Sequence, residues 1–262
     1  TSFLEKIVRS KLAVWAAIVL PGLWPAWPFF VTEDAAALTD PLKYVLHHWG
    51  LVGCILLAAV LTFSPLRVLF PRSALARALN RHRRLVGVAA FAYGLLHFVA
   101  HTRHVYDGTF ETFWKEIGKP FQLAGLGALV ILFALSVTSL DAAIRRMGSR
   151  AWKNLHRLAY VAAALAAWHQ AIARKVFPPQ VIWIFGPVVI LQVARHWKER
   201  RQRAARLRVE AGRDIDREDR HARVVDLPDE FAPRVVERTR EADAEKAVDD
   251  EVPRAALGNR RR

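Results

Sequence analysis

The chain has 262 residues, of which 53% are hydrophobic, with nine tryptophans and a formal net charge of +15. Residues 195–262 hold 19 of the 39 Lys and Arg and 16 of the 24 Asp and Glu, so the rest is long apolar chain and the basic balance is not a nucleic-acid signature. A single cysteine, Cys54, excludes an intramolecular disulfide framework and cysteine-based zinc or iron–sulfur sites.

A membrane-spanning helix needs about 20 largely apolar residues. Six stretches qualify in chain order: Leu12–Val31, Val45–Leu66, Leu85–Thr102, Phe121–Leu140, Leu158–Ala173 and Val181–Trp197. The first carries Pro21, Pro25 and Pro28 and lacks a convincing cleavage pattern, which argues against a signal peptide. Between the second and third, Pro71–Asn80 places Leu75, Ala76 and Leu79 among arginines, the pattern of a short amphipathic helix at a membrane surface. Trp24, Trp27, Trp152 and Trp197 fall near span ends, as interfacial anchors do. No internal repeat and no low-complexity tract is evident.

The loops orient the bundle. With the amino end in the cytoplasm, the inner segments carry 14 basic residues before the tail and the outer segments six. The positive-inside rule then places both termini in the cytoplasm. The expected fold is an all-α, six-transmembrane-helix bundle spanning residues 1–197, followed by a charged cytoplasmic tail, 198–262. The basic stretch Lys198–Glu210 is expected to continue the last helix. Beyond Gly212 there is too little apolar surface for a core, so disorder is expected.

Histidines are the informative polar residues, because ionisable groups within spans are costly and default to functional candidates. His97 lies 13 residues after Arg84, about 20 Å along a helix. His169 lies 16 residues after Lys153, about 24 Å by the same rise. Two imidazoles at similar depth on two helices suit the two faces of one haem iron. A histidine in a span also serves simply to bond a neighbouring helix, and that reading stays open. His156, 13 residues before His169, is about 20 Å away and cannot share its ion. It marks the inner end, for a second haem or an electron entry point. The run His97, His101, His104 also shares a helix face and suggests a weaker metal-site alternative. Among the inner basic residues, Arg77, Arg83 and Arg84 are candidates to hold haem propionates or a flavin phosphate, since Arg matches planar anions. There is no Gly-rich dinucleotide or P-loop motif.

Several stretches together resemble the MsrQ family, also called YedZ, within the ferric-reductase-like transmembrane group. They are Asp40-Pro41-Leu42-Lys43 with His47 and Gly50, Thr62-Phe63-Ser64-Pro65-Leu66, Arg83-Arg84-Leu85-Val86-Gly87 and Leu96-His97. Further along come Thr138-Ser139, Arg146-Met147-Gly148, Arg150-Ala151-Trp152, Leu155-His156-Arg157-Leu158-Ala159-Tyr160 and Trp168-His169. The resemblance covers residues 12–197. It implies a haem b-binding, multi-pass subunit in a bacterial inner membrane, with His97 and His169 as the haem pair, His156 as a further important histidine and His47 at a position without an assigned role. It also implies FMN and a cytoplasmic NAD(P)H flavin reductase, or quinone, as electron donor. The implied acceptor is a periplasmic molybdopterin subunit that reduces methionine sulfoxide, so substrate chemistry lies on a separate protein. The tail departs from the family pattern and is too short for flavin and nucleotide domains. The competing readings are a self-sufficient ferric-chelate or quinone reductase, and a non-redox adaptor or proton-conducting bundle.

Overall fold

The computed structural model describes residues 8, 10–32, 38–105, 110–173 and 177–225. All regular structure among them is helical. In chain order the helices are α1 (Lys11–Leu23), α2 (Ala26–Phe30), α3 (Pro41–Leu69), α4 (Ala74–Arg81), α5 (Arg83–Val105) and α6 (Phe110–Ile117). They continue with α7 (Pro120–Val137), α8 (Asp141–Met147), α9 (Ser149–Leu155), α10 (Leu158–Ile172) and α11 (Gln180–Val225). Three of these, α3, α5 and α7, are long and apolar enough to cross a membrane. The first apolar stretch is broken into α1 and α2, the fifth forms the shorter α10, and the sixth forms the start of α11.

Helix ends follow local chemistry. Asp40 Oδ1 accepts from Lys43 N at 3.1 Å and Pro41 occupies the first turn of α3, where a missing N–H costs nothing. Ser10 and Ser73 cap α1 and α4 in the same way. Gly148, at φ 77°, turns the chain between α8 and α9, a conformation that favours glycine. The helix expected at Pro71–Asn80 is α4, which begins only at Ala74, runs to Arg81 and buries Ala76 and Ala78.

Proline within an apolar helix deprives the carbonyl one turn earlier of its donor, and here side chains from other helices replace it. Pro65 removes the donor to Leu61, whose oxygen accepts from Gln192 Nε2 of α11 at 3.0 Å. Pro25 removes the donor to Pro21, whose oxygen accepts from His48 Nε2 at 2.6 Å and from Trp24 N at 3.4 Å. Beside it, Trp49 Nε1 donates to Gly22 O at 3.1 Å and Tyr93 Oη to Ile18 O at 2.7 Å. The bend between α1 and α2 is therefore held by α3 and α5. At the far end of α3, Lys198 Nζ donates to the Val68 and Leu69 carbonyls at 3.0 and 2.9 Å.

Four alanines in the main core cluster let helix backbones approach closely, as small residues do where no hydrophobic force drives helices together. Leu57, Ala58, Leu61, Ala90, Leu132, Ala162, Ala163, Phe185 and Val188 join α3, α5, α7, α10 and α11. A second cluster, including Ile18, Val52, Phe63 and Tyr93, joins α1 to α3 and α5. The outward faces are apolar too: Val130, Phe133, Val189 and Ile190 are 55–69% exposed. Such contiguous exposure in a long-helix protein marks a lipid-facing surface.

The chain divides into two units, Thr1–Lys198 and Glu199–Arg262. In the second, helix continues through Gly212 to Val225, farther than low apolar content suggests, and the side chains described there are exposed. Alanine and arginine are good helix formers without a core to pack on. The expectation of disorder for the last part of the tail, 226–262, lies outside the described residues.

Candidate functional site

Helices α3, α5, α7 and α10 enclose a first cavity lined by His47, Gly50, Leu51, His97, Gly125, Leu126, Leu132 and His169, among others, with about 1170 Å³ of space counted to its open side. His97 on α5 and His169 on α10 face each other there, their ring centroids 6.0 Å apart and their planes at 80°. His97 Nδ1 lies 2.6 Å from Leu46 O on α3, and His169 Nδ1 lies 2.7 Å from Phe121 O on α7. A carbonyl only accepts, so each Nδ1 carries the hydrogen, and a neutral ring then keeps its lone pair on Nε2. That tautomer, locked by a backbone carbonyl, is how metal-ligating histidines are commonly oriented.

The pair fits the expected group. Imidazole nitrogens bind first-row metals at about 2 Å, so two rings sharing one ion stand roughly 6 Å apart between centroids. Leucines line the space on both sides, as a largely apolar planar ring requires. At the same end, His47 Nδ1 donates to Lys43 O at 2.8 Å, and His101 Nε2 meets Gln122 Nε2 at 2.6 Å. His104 instead faces Asp40 at 3.7 Å. The run His97, His101, His104 therefore points to three different partners, and the described residues contain no cluster of three metal-ligating side chains.

A second cavity, about 1200 Å³ by the same measure, lies toward the other ends of these helices. It is lined by Ser64, Ser139, Arg83, Arg84, Lys153, His156, Arg157, Tyr160 and Arg195. His156 stacks on Trp152 with centroids 4.1 Å apart, and its Nε2 is 3.5 Å from Thr138 Oγ1. Trp152 donates to Thr138 O at 3.0 Å, and the Arg83 guanidinium lies 5.5 Å from the Trp152 ring centre. Trp152 thus supports His156 in the cavity wall. Arg84 pairs with Asp141 at 2.5 Å. Arg77 donates to Pro71 O at 3.0 Å and lines neither cavity. Of the expected site residues, His47, His97 and His169 meet in the first cavity and Arg83, Arg84 and His156 in the second; Arg77 joins neither.

The linings repeat. Gly50, Leu51, Leu57 and Ser64 on α3 correspond to Gly125, Leu126 and Leu132 on α7 and to Ser139 just past its end, at an offset of 75. On α5 and α10, Gly87, Gly94 and His97 correspond to Ala159, Ala166 and His169 at an offset of 72. By that offset Arg84 corresponds to His156. The two helix pairs present equivalent walls, and Leu57 and Leu132 border both cavities. Sequence reading missed this because the two offsets differ, so no fixed-period comparison aligns both halves. It also missed the Leu46 and Phe121 carbonyls, whose part is played by backbone.

The family described as ferric reductase like transmembrane component matches residues 49–167. A protein of Rhizobium meliloti is 36% identical over 200 residues, covering 75% of this chain and 87% of its own length. It carries the name protein-methionine-sulfoxide reductase heme-binding subunit MsrQ. The chain belongs to the MsrQ family. Relatives with the same name in Caulobacter vibrioides and Cronobacter sakazakii are 36% and 32% identical over 190 and 201 residues. Those alignments cover 72% and 76% of this chain and 87% and 96% of the relatives. In this MsrQ family member His97, Gly125 and His156 fall inside the ferric-reductase match, which stops two residues short of His169.

Proposed function

We propose that the chain is the membrane cytochrome b-type subunit of a methionine sulfoxide repair system. In this reading it is a six-helix bundle of the ferric-reductase-like type in a bacterial inner membrane, with both termini cytoplasmic. It takes electrons from a cytoplasmic NAD(P)H flavin reductase, or from quinone, at the end bearing the second cavity. It delivers them at the first cavity to a periplasmic molybdopterin subunit that carries out the substrate chemistry. The observation that carries this reading is the His97–His169 pair, two imidazoles on separate helices, each tied by Nδ1 to the carbonyl of a third or fourth helix.

Haem b held by His97 and His169 supplies reversible one-electron exchange at iron. The protein's part is to fix ligand, orientation and surroundings. The Leu46 and Phe121 carbonyls hold the Nδ1 protons and keep both rings from rotating. Leu51, Leu57, Leu126 and Leu132 keep the space between apolar. In the second cavity Arg83, Arg84, Lys153, Arg157 and Arg195 suit a planar anion, and His156 offers one further imidazole. That set accommodates either a second haem or the FMN implied by the family, with Arg83 and Arg84 as the phosphate or propionate contacts. Arg77 is committed to Pro71 and is not part of that set.

The test is the absorption spectrum of the purified protein from haem-replete cells. Reduction with dithionite is expected to give the sharp α band of haem b, and pyridine haemochrome to give one or two haems per chain. A protein without haem contradicts the reading and favours a non-redox bundle. Haem with direct ferric-chelate turnover, and no electron delivery to a molybdopterin partner, favours the self-sufficient reductase.

A further inference from the structure

Gly50 and Gly125 are glycines without a conformational reason. Both lie inside helices, and the one described glycine with positive φ is Gly148. Glycine is otherwise a poor choice in a helix interior. A Cβ built on Gly50 meets His97 at 2.8 Å (Nδ1), 3.0 Å (Cε1) and 3.3 Å (Cγ). On Gly125 the same three atoms of His169 lie at 2.8, 3.0 and 3.2 Å. Two separate helices therefore repeat the same contact on the same ring atoms, to within a tenth of an ångström.

The cause is the direction of side chains along a helix. Each Cβ tilts toward the helix N-terminus, so the residue at i+4 covers the carbonyl at i. Gly50 is four residues after Leu46, and Gly125 four after Phe121, the residues whose carbonyls receive the histidine Nδ1–H. Absence of a side chain at those positions opens the carbonyl to a donor from the next helix. We propose that Gly50 and Gly125 are positioning residues that seat His97 and His169 against these carbonyls and so aim each Nε2 at a shared metal. This rests on the haem reading above. Neighbouring glycines differ: a Cβ on Gly53 or Gly127 meets its nearest atom at 3.4 Å, ordinary contact, and neither lines the first cavity.

The test uses the full-length protein in detergent, comparing Gly50→Ala and Gly125→Ala with Gly53→Ala and Gly127→Ala. The first two are expected to lose bis-imidazole low-spin haem and to bind haem about 10- to 100-fold more weakly, the usual effect of losing an outer partner of a metal ligand. The second two are expected to keep the wild-type spectrum and midpoint potential. Unchanged spin state, haem content and potential in Gly50→Ala and Gly125→Ala overturn the proposal, as does equal loss in all four. A second measurement does not depend on the alanine proteins accumulating. In His97→Gly and His169→Gly, free imidazole is expected to restore the low-spin spectrum, because the seat stays open beside each glycine. Failure of free imidazole to do so overturns the proposal. Wild-type protein lacking haem is a separate outcome, and it refutes the haem reading itself.

Discussion

The two cavities share walls of one design and differ in what those walls carry. In the first, equivalent positions on α5 and α10 hold two histidines, His97 and His169, among leucines. In the second, the positions related by the same offset hold Arg84, on α5, and His156, just before α10, beside Arg83, Lys153, Arg157 and Arg195. One scaffold thus offers a symmetric, low-charge pair of imidazoles at one end and an asymmetric cationic lining at the other. An apolar pocket suits a buried two-ligand centre. A cationic pocket with a single imidazole suits a group that brings its own negative charge.

The largest effect should come from breaking the symmetric end. His97→Ala and His169→Ala are each expected to abolish the low-spin signal of the first cavity, with loss of haem by pyridine haemochrome. Retention of full haem and spectrum in both variants would remove the basis of the comparison. The asymmetric end is sharpened by Arg84→His, which adds a second imidazole to the lining that holds His156. It is expected to add a bis-imidazole component to the spectrum without disturbing the first. Loss of the Arg84–Asp141 pair should cost little, since both side chains are about half exposed or more and such pairs contribute about 0–1 kcal/mol. A change confined to the first-cavity signal would refute the correspondence of Arg84 with His156.

Smaller effects belong to the scaffold on which both cavities rest. Tyr93→Phe removes the bond to Ile18 O that helps hold the bend of α1, and is expected to lower stability by about 0.5–1.5 kcal/mol, read as a lower melting temperature with unchanged haem content. Smallest of all is Arg77→Ala, expected to leave both cavity spectra unchanged, because its guanidinium is engaged by Pro71. A spectral change in that variant would place Arg77 back among the second-cavity residues.

Much of this was legible in the sequence, for reasons specific to each element. Long apolar runs mark α3, α5 and α7 unambiguously, and Asp40-Pro41 announces the start of α3 through cap chemistry. His97 and His169 stand out because histidine in an apolar run is rare, and helical rise alone puts them at one depth. The supports of the site were hidden. The partners of both histidines are backbone carbonyls, and every residue has one. Gly50 and Gly125 carry meaning only once α3 is known to face α5 and α7 to face α10. His48 and Gln192 looked like ordinary polar residues until the carbonyls freed by Pro25 and Pro65 were placed beside them. Arg77 was misleading for the opposite reason: charge makes it a candidate for any anion, and only geometry shows it spent on a loop.

The central claim is that His97 and His169 share one iron. Low-temperature EPR with near-infrared magnetic circular dichroism on the oxidised protein tests it most directly. The account predicts a low-spin ferric spectrum of two neutral imidazole ligands, lost in each single histidine variant. A wild-type spectrum that is high-spin, or that shows a non-imidazole axial ligand, would contradict it.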